Sequence, residues 1–205
     1  MLSMRNARGF SLIEILFALA MVSLLLMLGL PSYQAWIQNT KIRMVAESIF
    51  NGMQLAKAEA IRRNVNVGFY LVDSMTASCS TDGSFSNWVV SLQDPSSACN
   101  QAPSETLAPQ IIQKRLVQEG QTEGIVVTSS AVTATAVPDQ IVFTPLGRGN
   151  NPNNQFLQID VSISPAISGA RPLRIQVGAG GSLKLCYPSS PSIQSTLSTT
   201  DPRGC

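Results

Sequence analysis

The chain has 205 residues, and its 14 lysines and arginines nearly balance its 12 aspartates and glutamates, which leaves a formal charge of +2. So small a charge argues against a histone-like or tail-like protein that binds nucleic acid through a diffuse basic surface. The sequence contains no histidine, so the commonest general base and zinc ligand are missing, and composition speaks against an enzyme.

The first predicted element is an apolar stretch over residues 10–30, in which Glu14 is the only ionisable side chain. As a helix it would span about 30 Å, which is the thickness of the hydrocarbon core of a bilayer. Arg5 and Arg8 precede the stretch. This positive charge predicts that the N-terminus stays in the cytoplasm and that the chain after the apolar stretch lies on the opposite side of the membrane.

Two simple interpretations of this stretch are a cleaved secretory signal peptide and a plain membrane anchor. A signal peptide needs a cleavage site with small residues after the apolar run, but here the run continues through Pro31 into a helical pattern. A plain anchor leaves Glu14 unexplained, because a charged side chain inside a spanning segment costs about 2.5–3.5 kcal/mol on insertion scales. Glu14 therefore predicts a specific cationic partner.

Residues 8–14 read Arg-Gly-Phe-Ser-Leu-Ile-Glu, and together with the apolar run they resemble the class III signal of type IV pilins and pseudopilins. The resemblance implies that a prepilin peptidase cuts between Gly9 and Phe10 and methylates the new amine of Phe10. It also implies that Glu14 neutralises the terminal ammonium of a neighbouring subunit in a filament. Such pairing is physically sensible, because two charges removed from water in an apolar bundle are tolerated only together.

Pro31 lies at the end of the membrane stretch and is predicted to kink the helix without ending it. Apolar residues then recur at steps of three and four, which predicts one amphipathic helix that continues to about Arg63. The predicted buried face consists of Ile42, Val45, Ala46, Ile49, Phe50, Met53, Ala56, Ala60 and Ile61. The predicted organisation is a leader (1–9), a transmembrane or filament-core helix (10–30), an amphipathic helix (31–63) and a β-rich head (64–205).

Short β-rich runs separated by turn residues follow the helix and predict an antiparallel β domain. The predicted strands are 65–72, 87–93, 111–118, 124–128, 140–144, 156–163, 173–177 and 182–186. A glycine-rich turn at 177–182 predicts that the last two strands form a hairpin. Residues 73–86 and 94–109 are predicted to be surface loops. These elements predict an α+β fold, and the resemblance to type IV pilins implies a pilin-like fold with a long N-terminal helix packed on an antiparallel sheet.

All cysteines follow the predicted anchor and are therefore expected in an oxidising compartment. They are Cys79, Cys99, Cys186 and Cys205. Four cysteines allow three pairings, of which the economical one joins Cys79 to Cys99 and Cys186 to Cys205. Each bridge would stabilise the fold by roughly 3 kcal/mol through loop closure. A metal site is the alternative, but there is neither a C-x-x-C spacing nor a histidine, and we expect no metal or other cofactor.

The part after the helix resembles the GspH/FimT-type group, which contains minor pilins of type IV pili and the H-type pseudopilin of type II secretion. The stretches that carry this resemblance are 142–147 (Val-Phe-Thr-Pro-Leu-Gly), 171–175 (Arg-Pro-Leu-Arg-Ile) and 183–186 (Leu-Lys-Leu-Cys). The resemblance implies a minor pilin without catalytic activity that joins the initiating or tip complex of a filament. An H-type pseudopilin is the alternative. The implied partners are other pilins or pseudopilins, the prepilin peptidase/methyltransferase and the inner-membrane assembly platform.

One subfamily of this group binds DNA in natural transformation through a glycine-arginine-x-arginine turn. The corresponding stretch here, residues 181–184, reads Gly-Ser-Leu-Lys and lacks both arginines. A DNA receptor is therefore a further alternative, and solvated basic side chains are the simpler interpretation. The residues that would form a DNA-contacting surface are Arg148, Arg171, Arg174, Lys184 and Arg203.

Overall fold

One long helix and eight strands make up the regular structure of the described residues. The structure, a computed structural model, describes residues 10–81, 83–117, 123–130, 139–149, 158–178, 180–188 and 204–205, with the backbone alone for 28–31. The elements are α1 (Leu12–Arg63), β1 (Val67–Val72), β2 (Asn87–Ser91), β3 (Ile111–Arg115), β4 (Ile125–Ser130), β5 (Gln140–Phe143), β6 (Gln158–Ile163), β7 (Leu173–Val177) and β8 (Leu183–Cys186). Each predicted strand is present, with ends that differ by at most three residues.

The chain divides into two compact units, Met1–Ile37 and Gln38–Cys205. Within the first unit the described chain from Leu12 onward is helical, and the helix continues through Pro31 as predicted. One stretch of this helix is long and apolar enough to cross a membrane, with a mean hydropathy of 2.5 and no part of it buried. The second unit contains all eight strands and the helix from Gln38 to Arg63.

The strands of the second unit form two antiparallel sheets, where the sequence analysis expects one. The first sheet has the order β3-β2-β1-β5 and the second the order β4-β6-β7-β8. Alternation along a strand shows which side chains face a core, but it does not show which strands pair. The predicted hairpin of β7 and β8 is confirmed, with Val177 opposite Leu183 and Arg174 opposite Cys186.

Both sheets share one hydrophobic core with the helix. The helix contributes Ile42, Val45, Ala46, Ile49, Met53, Ala56 and Ala60, each at most 2% exposed. The same cluster contains Phe69 from the first sheet and Ile175 from the second. The predicted apolar face is therefore confirmed over these positions. Phe50 is partly buried against this core, and Ile61 is the exception, since it is 52% exposed.

Gly52 lets the helix approach the first sheet closely. A Cβ atom at this position would lie 2.7 Å from Cε2 of Phe69 and 3.0 Å from two ring atoms of Trp88. Four residues earlier, the hydroxyl of Ser48 accepts a hydrogen bond of 2.9 Å from Nε1 of Trp88. This bond satisfies the indole N–H inside the core, where an unpaired donor would be costly. Trp88 is only 3% exposed, so its ring belongs to the core.

The two predicted surface loops, 73–86 and 94–109, enclose a second, smaller core. Cys79 and Cys99 lie in these loops and pack with Tyr70, Val89 and Ile111 of the first sheet, all at most 5% exposed. The loops therefore cover the face of the first sheet that points away from the helix. The sequence does not predict this layer, because the loop composition is polar and only the paired cysteines hint at a buried centre.

Candidate functional site

The start of α1 is the first part of the candidate site. Phe10 precedes the helix and its side chain is 79% exposed. Glu14 lies in the first helical turn. The backbone N–H groups of Glu14 and Ile15 donate to the carbonyl oxygen of Ser11, at 3.1 and 3.2 Å. Gly9, the other predicted processing residue, lies outside the described residues.

Ser11 and Glu14 have the spacing of a capping box, a feature that the sequence analysis did not use. In that motif a serine precedes the first turn, and a glutamate or glutamine three residues later reaches back to the serine N–H. A carboxylate is also favoured here by the partial positive charge of a helix N-terminus. This spacing predicts a local capping role for Glu14 that is independent of any neighbouring subunit, and an experiment must separate the two roles.

The apolar surface of the helix is the second part of the site. Its large side chains between Leu12 and Met27 are all at least half exposed: Leu12 77%, Ile13 73%, Ile15 52%, Leu16 57%, Phe17 67%, Leu19 61%, Met21 51%, Val22 51%, Leu24 57%, Leu25 69%, Leu26 56% and Met27 77%. A helix that is apolar on every side is stable only when lipid or other helices surround it. This segment is therefore built for a membrane or for a bundle of helices.

Two aromatic residues follow the apolar segment. The rings of Tyr33 and Trp36 stack with their centroids 6.0 Å apart, and both side chains are more than half exposed. Stacked, amphipathic rings at the end of an apolar helix are typical of the interface between a bilayer and water. We therefore expect Trp36 to lie at such an interface.

The cysteines form two disulfides in the described part of the head. Cys79 is joined to Cys99 and Cys186 to Cys205, with Cα atoms 6.0 and 5.7 Å apart. This is the economical pairing of the three that the sequence allows. The second bridge ties the C-terminal residue to β8, and the backbone of Cys205 adds a hydrogen bond of 3.0 Å to the carbonyl oxygen of Tyr187.

The candidate DNA-contacting residues do not all point to a shared surface. Arg174 forms a bidentate ion pair with Asp160, at 2.6 and 2.9 Å. The two side chains are 12% and 9% exposed, so the guanidinium of Arg174 is already occupied by a carboxylate. This corrects the assignment of Arg174 to a phosphate-binding surface.

The other candidate DNA-contacting residues have exposed side chains or lie outside the described residues. Arg171 is exposed, and its backbone N–H donates to Oδ1 of Asn39 at 2.7 Å. Lys184 is exposed and its Nζ lies 3.3 Å from the carbonyl oxygen of Gly204. Arg148 is exposed in the turn after β5. Arg203 lies outside the described residues.

Comparison with solved structures gives two similar chains, both crystal structures of the type IV minor pilin FimU from Pseudomonas aeruginosa strain PAO1. In the first, in space group P65, the TM-score is 0.43 and the identity 15%, over 70% of this chain and 90% of that chain. In the second, in space group P21, the TM-score is 0.41 and the identity 13%, over 73% of this chain and 91% of that one. No curated protein shows a significant match.

Two family descriptions match the sequence directly. The prokaryotic N-terminal methylation motif matches residues 4–30, which contain the predicted processing site and the apolar run. The family described as type II transport protein GspH matches residues 45–181, which is more than half of the chain. The match includes most of the helix of the head, from residue 45 onward, and all strands except the last. The chain therefore belongs to the GspH family and is a pilin-like protein, a minor pilin or pseudopilin with an N-terminal methylation motif.

Proposed function

We propose that this protein is a minor pilin of a type IV pilus that enters the initiating or tip complex of the filament through its N-terminal helix. The main support for the proposal is the exposure of the segment between Leu12 and Met27, where every large apolar side chain is at least half exposed. In the membrane, lipid surrounds this surface. In the filament, neighbouring helices replace the lipid through close packing.

Processing between Gly9 and Phe10 supplies the charge that Glu14 needs. Cleavage by the prepilin peptidase exposes the amine of Phe10, and this ammonium pairs with the Glu14 carboxylate of a neighbouring subunit. The pairing is strong in an apolar bundle and fixes the axial position of one helix against the next. Arg5 and Arg8 hold the unprocessed N-terminus in the cytoplasm, so the head lies in the periplasm.

The partners of the proposed function are other pilins, the prepilin peptidase/methyltransferase and the assembly platform of the inner membrane. The GspH family is structural, and in this proposal the chain itself catalyses no reaction. Cleavage and methylation are carried out on it by the peptidase.

An H-type pseudopilin of a type II secretion system is the second candidate, because the matching family is described by type II transport. Both candidates use the same helix and the same charge pair. Deletion of the gene distinguishes them: a pilus subunit is needed for surface pili, whereas a pseudopilin is needed for secretion of folded exoproteins.

Substitutions at Glu14 test the charge pair against the local capping role. Glu14→Gln keeps a side chain that suits the capping box but removes the charge. Ser11→Ala removes the capping hydroxyl and keeps the charge. We expect Glu14→Gln to abolish incorporation into filaments and Ser11→Ala to leave it nearly normal, with both variants processed and present in the membrane at wild-type levels.

The readout is the amount of processed protein in sheared filaments relative to membranes, with N-terminal sequencing to confirm that the mature chain begins at Phe10. Gly9→Ala serves as the control for processing, since it should stop cleavage and leave the precursor in the membrane. Wild-type incorporation of Glu14→Gln, or a mature chain that begins elsewhere, would contradict the proposal.

A further inference from the structure

The turn after β5 presents a single leucine to solvent. Leu146 is 81% exposed, which is more than any other large hydrophobic side chain of the described residues, the apolar segment of α1 included. It stands between Pro145 and Gly147, at the tip of a turn that Thr144 and Arg148 close. One exposed leucine is ordinary on a protein surface, so the rigidity and surroundings of this turn decide whether it has a function.

Hydrogen bonds hold the turn in one conformation. The N–H of Thr144 donates to the carbonyl oxygen of Arg148 at 2.8 Å, and the N–H of Gly147 donates to the carbonyl oxygen of Thr144 at 2.8 Å. Gly147 has a φ of 72°, and Pro145 has a φ fixed by its ring. A turn with proline at its second position and a left-handed glycine at its end is a preferred three-residue connection.

The back of the turn packs against two other segments. A Cβ atom on Gly147 would lie 3.0 Å from Cε of Lys57 and 3.1 Å from Cδ1 of Ile61, both on α1. A Cβ atom on Gly181, in the turn between β7 and β8, would clash with the carbonyl oxygen of Gly147. Nζ of Lys57 donates to the carbonyl oxygen of Gly181 at 2.9 Å. Leu146 is therefore held outward on a rigid support, and little conformational entropy is lost when a partner binds it.

The surroundings of Leu146 are apolar and cationic. Ile61, which lies against Gly147, is 52% exposed and extends the apolar surface. Arg148 is exposed beside the leucine. At the end of the helix Glu59 pairs with both Arg62 and Arg63, and the hydrogen bond from Arg62 is the main reason that the pKa of Glu59 is lowered. Nη2 of Arg63 also lies 3.6 Å from a carboxylate oxygen of Glu105, so two carboxylates balance the two guanidinium groups at this helix end. The positive charge beside the turn comes from Arg148 and from Lys57, whose Nζ donates to a neutral carbonyl.

We propose that Leu146 and Ile61 form an anchor that inserts into an apolar socket with carboxylates at its rim, on the head of a neighbouring pilin-like subunit. A rigid apolar side chain at the centre with cations around it matches the usual anatomy of a binding hot spot, and the cations select an acidic rim. The inference rests on the proposed function, because it takes the neighbour to be another subunit of the same filament. The inference goes beyond the proposed function because it names the surface of the head that contacts the neighbouring subunit.

Photo-crosslinking in living cells tests the contact directly. Benzoylphenylalanine replaces Leu146 in the full-length chain, and a matched variant carries it at Leu107, which is 68% exposed in the loop 94–109. We expect irradiation to join position 146, but not position 107, to a pilin-like subunit, with the crosslink mapped by mass spectrometry to a segment that contains aspartate or glutamate. Crosslinks only to lipid, to a protein without a pilin-like helix, or equally from both positions overturn the proposal.

Charge substitutions provide the second measurement. Leu146→Asp places a carboxylate against the acidic rim, and we expect incorporation into filaments to fall roughly tenfold or more, as for a hot-spot residue. Leu146→Ala and Arg148→Glu should give smaller losses in the same direction, whereas Leu107→Asp should have no effect. The melting temperatures of these variants should equal that of the wild type, because the substituted side chains are exposed.

The outcome separates this inference from the proposed function. If Leu146→Asp and Arg148→Glu assemble normally while Glu14→Gln does not, the helix drives assembly and the anchor proposal is wrong. If Glu14→Gln also assembles normally, the result contradicts the charge pair on which the proposed function depends.

Discussion

The guanidinium of Arg174 on β7 and the carboxylate of Asp160 on β6 form a bidentate pair, with Nε donating to Oδ1 at 2.6 Å and the second nitrogen donating to Oδ2 at 2.9 Å. The two residues lie directly opposite each other in the second sheet. Asp160 has an overall exposure of only 6%, so this carboxylate depends on its partner for hydrogen bonds.

Removal of Arg174 should therefore destabilise the head. We expect Arg174→Ala to lower the free energy of unfolding by roughly 3 kcal/mol, because it leaves a buried carboxylate unpaired. Chemical denaturation of the full chain in detergent measures the change. Gln176→Ala, on the same face of β7, is the matched control and should change the stability by less than about 0.5 kcal/mol. A double variant, Asp160→Val with Arg174→Leu, should recover most of the loss, and equal losses in single and double variants would argue against the pair.

Gly52 should not tolerate a side chain. In a helix interior alanine is normally more stable than glycine by about 1 kcal/mol. At Gly52 the added methyl group would meet the rings of Phe69 and Trp88 at 2.7 and 3.0 Å, and overpacking of this kind costs about 1–3 kcal/mol. We expect Gly52→Ala to lower the melting temperature and to change the fluorescence of Trp88. Asn51→Ala, at an exposed neighbouring position, should be neutral or slightly stabilising, and a stabilising Gly52→Ala would mean that the helix lies further from the sheet.

Loss of the two disulfides should have different effects on stability and on proteolytic cleavage. Replacement of Cys79 and Cys99 by alanine opens the small core around Tyr70 and Ile111, so we expect a loss of roughly 3 kcal/mol from chain entropy together with faster cleavage in the loops 73–86 and 94–109. Replacement of Cys186 and Cys205 should release the C-terminus from β8, with the shared core intact. Limited proteolysis followed by mass spectrometry reports both effects. Cleavage within the first sheet in the second variant would contradict this assignment.

Tyr70 should make stability fall at alkaline pH. Burial raises the pKa of Tyr70 to about 12, with smaller contributions from Asp94 and Asp139. In the unfolded chain a tyrosine ionises near pH 10. The neutral phenol therefore stabilises the fold fully below about pH 10, and this contribution is lost as the pH rises from there towards 12.

The phenolate absorbance near 295 nm measures this directly, as the difference between the wild type and Tyr70→Phe. We expect the difference signal to appear only near pH 12 or at unfolding, and denaturant titrations of the wild type to lose stability between about pH 10 and 12 more steeply than those of Tyr70→Phe. A difference signal centred near pH 10 in the folded protein would show that the Tyr70 hydroxyl reaches solvent.

Local sequence patterns were sufficient to predict the helix and the strands of this fold. The spacing of Ile42, Val45, Ile49 and Met53 predicts the buried face of the helix, because a helix repeats every 3.6 residues. The turn residues between apolar runs predict the strands, because they mark where each strand ends. The motif at residues 8–14 and the lone charge of Glu14 predict the membrane or filament role, because few other arrangements need a carboxylate inside an apolar run.

The tertiary structure decided the relationships between distant residues, which no local pattern encodes. The division into two sheets, the pairing of Arg174 with Asp160, and the small core beneath the loops of Cys79 and Cys99 all join segments that are remote along the chain. Arg174 looks like any exposed basic residue in the sequence, and only the register of β6 and β7 places a carboxylate opposite it. Leu146 looks like a core residue in the sequence, and its exposure follows from the turn that Gly147 makes against Gly181. Charge and apolar pattern thus indicate a segment suited to a membrane or to a bundle of helices, while packing determined which side chains of the head are buried and which are exposed.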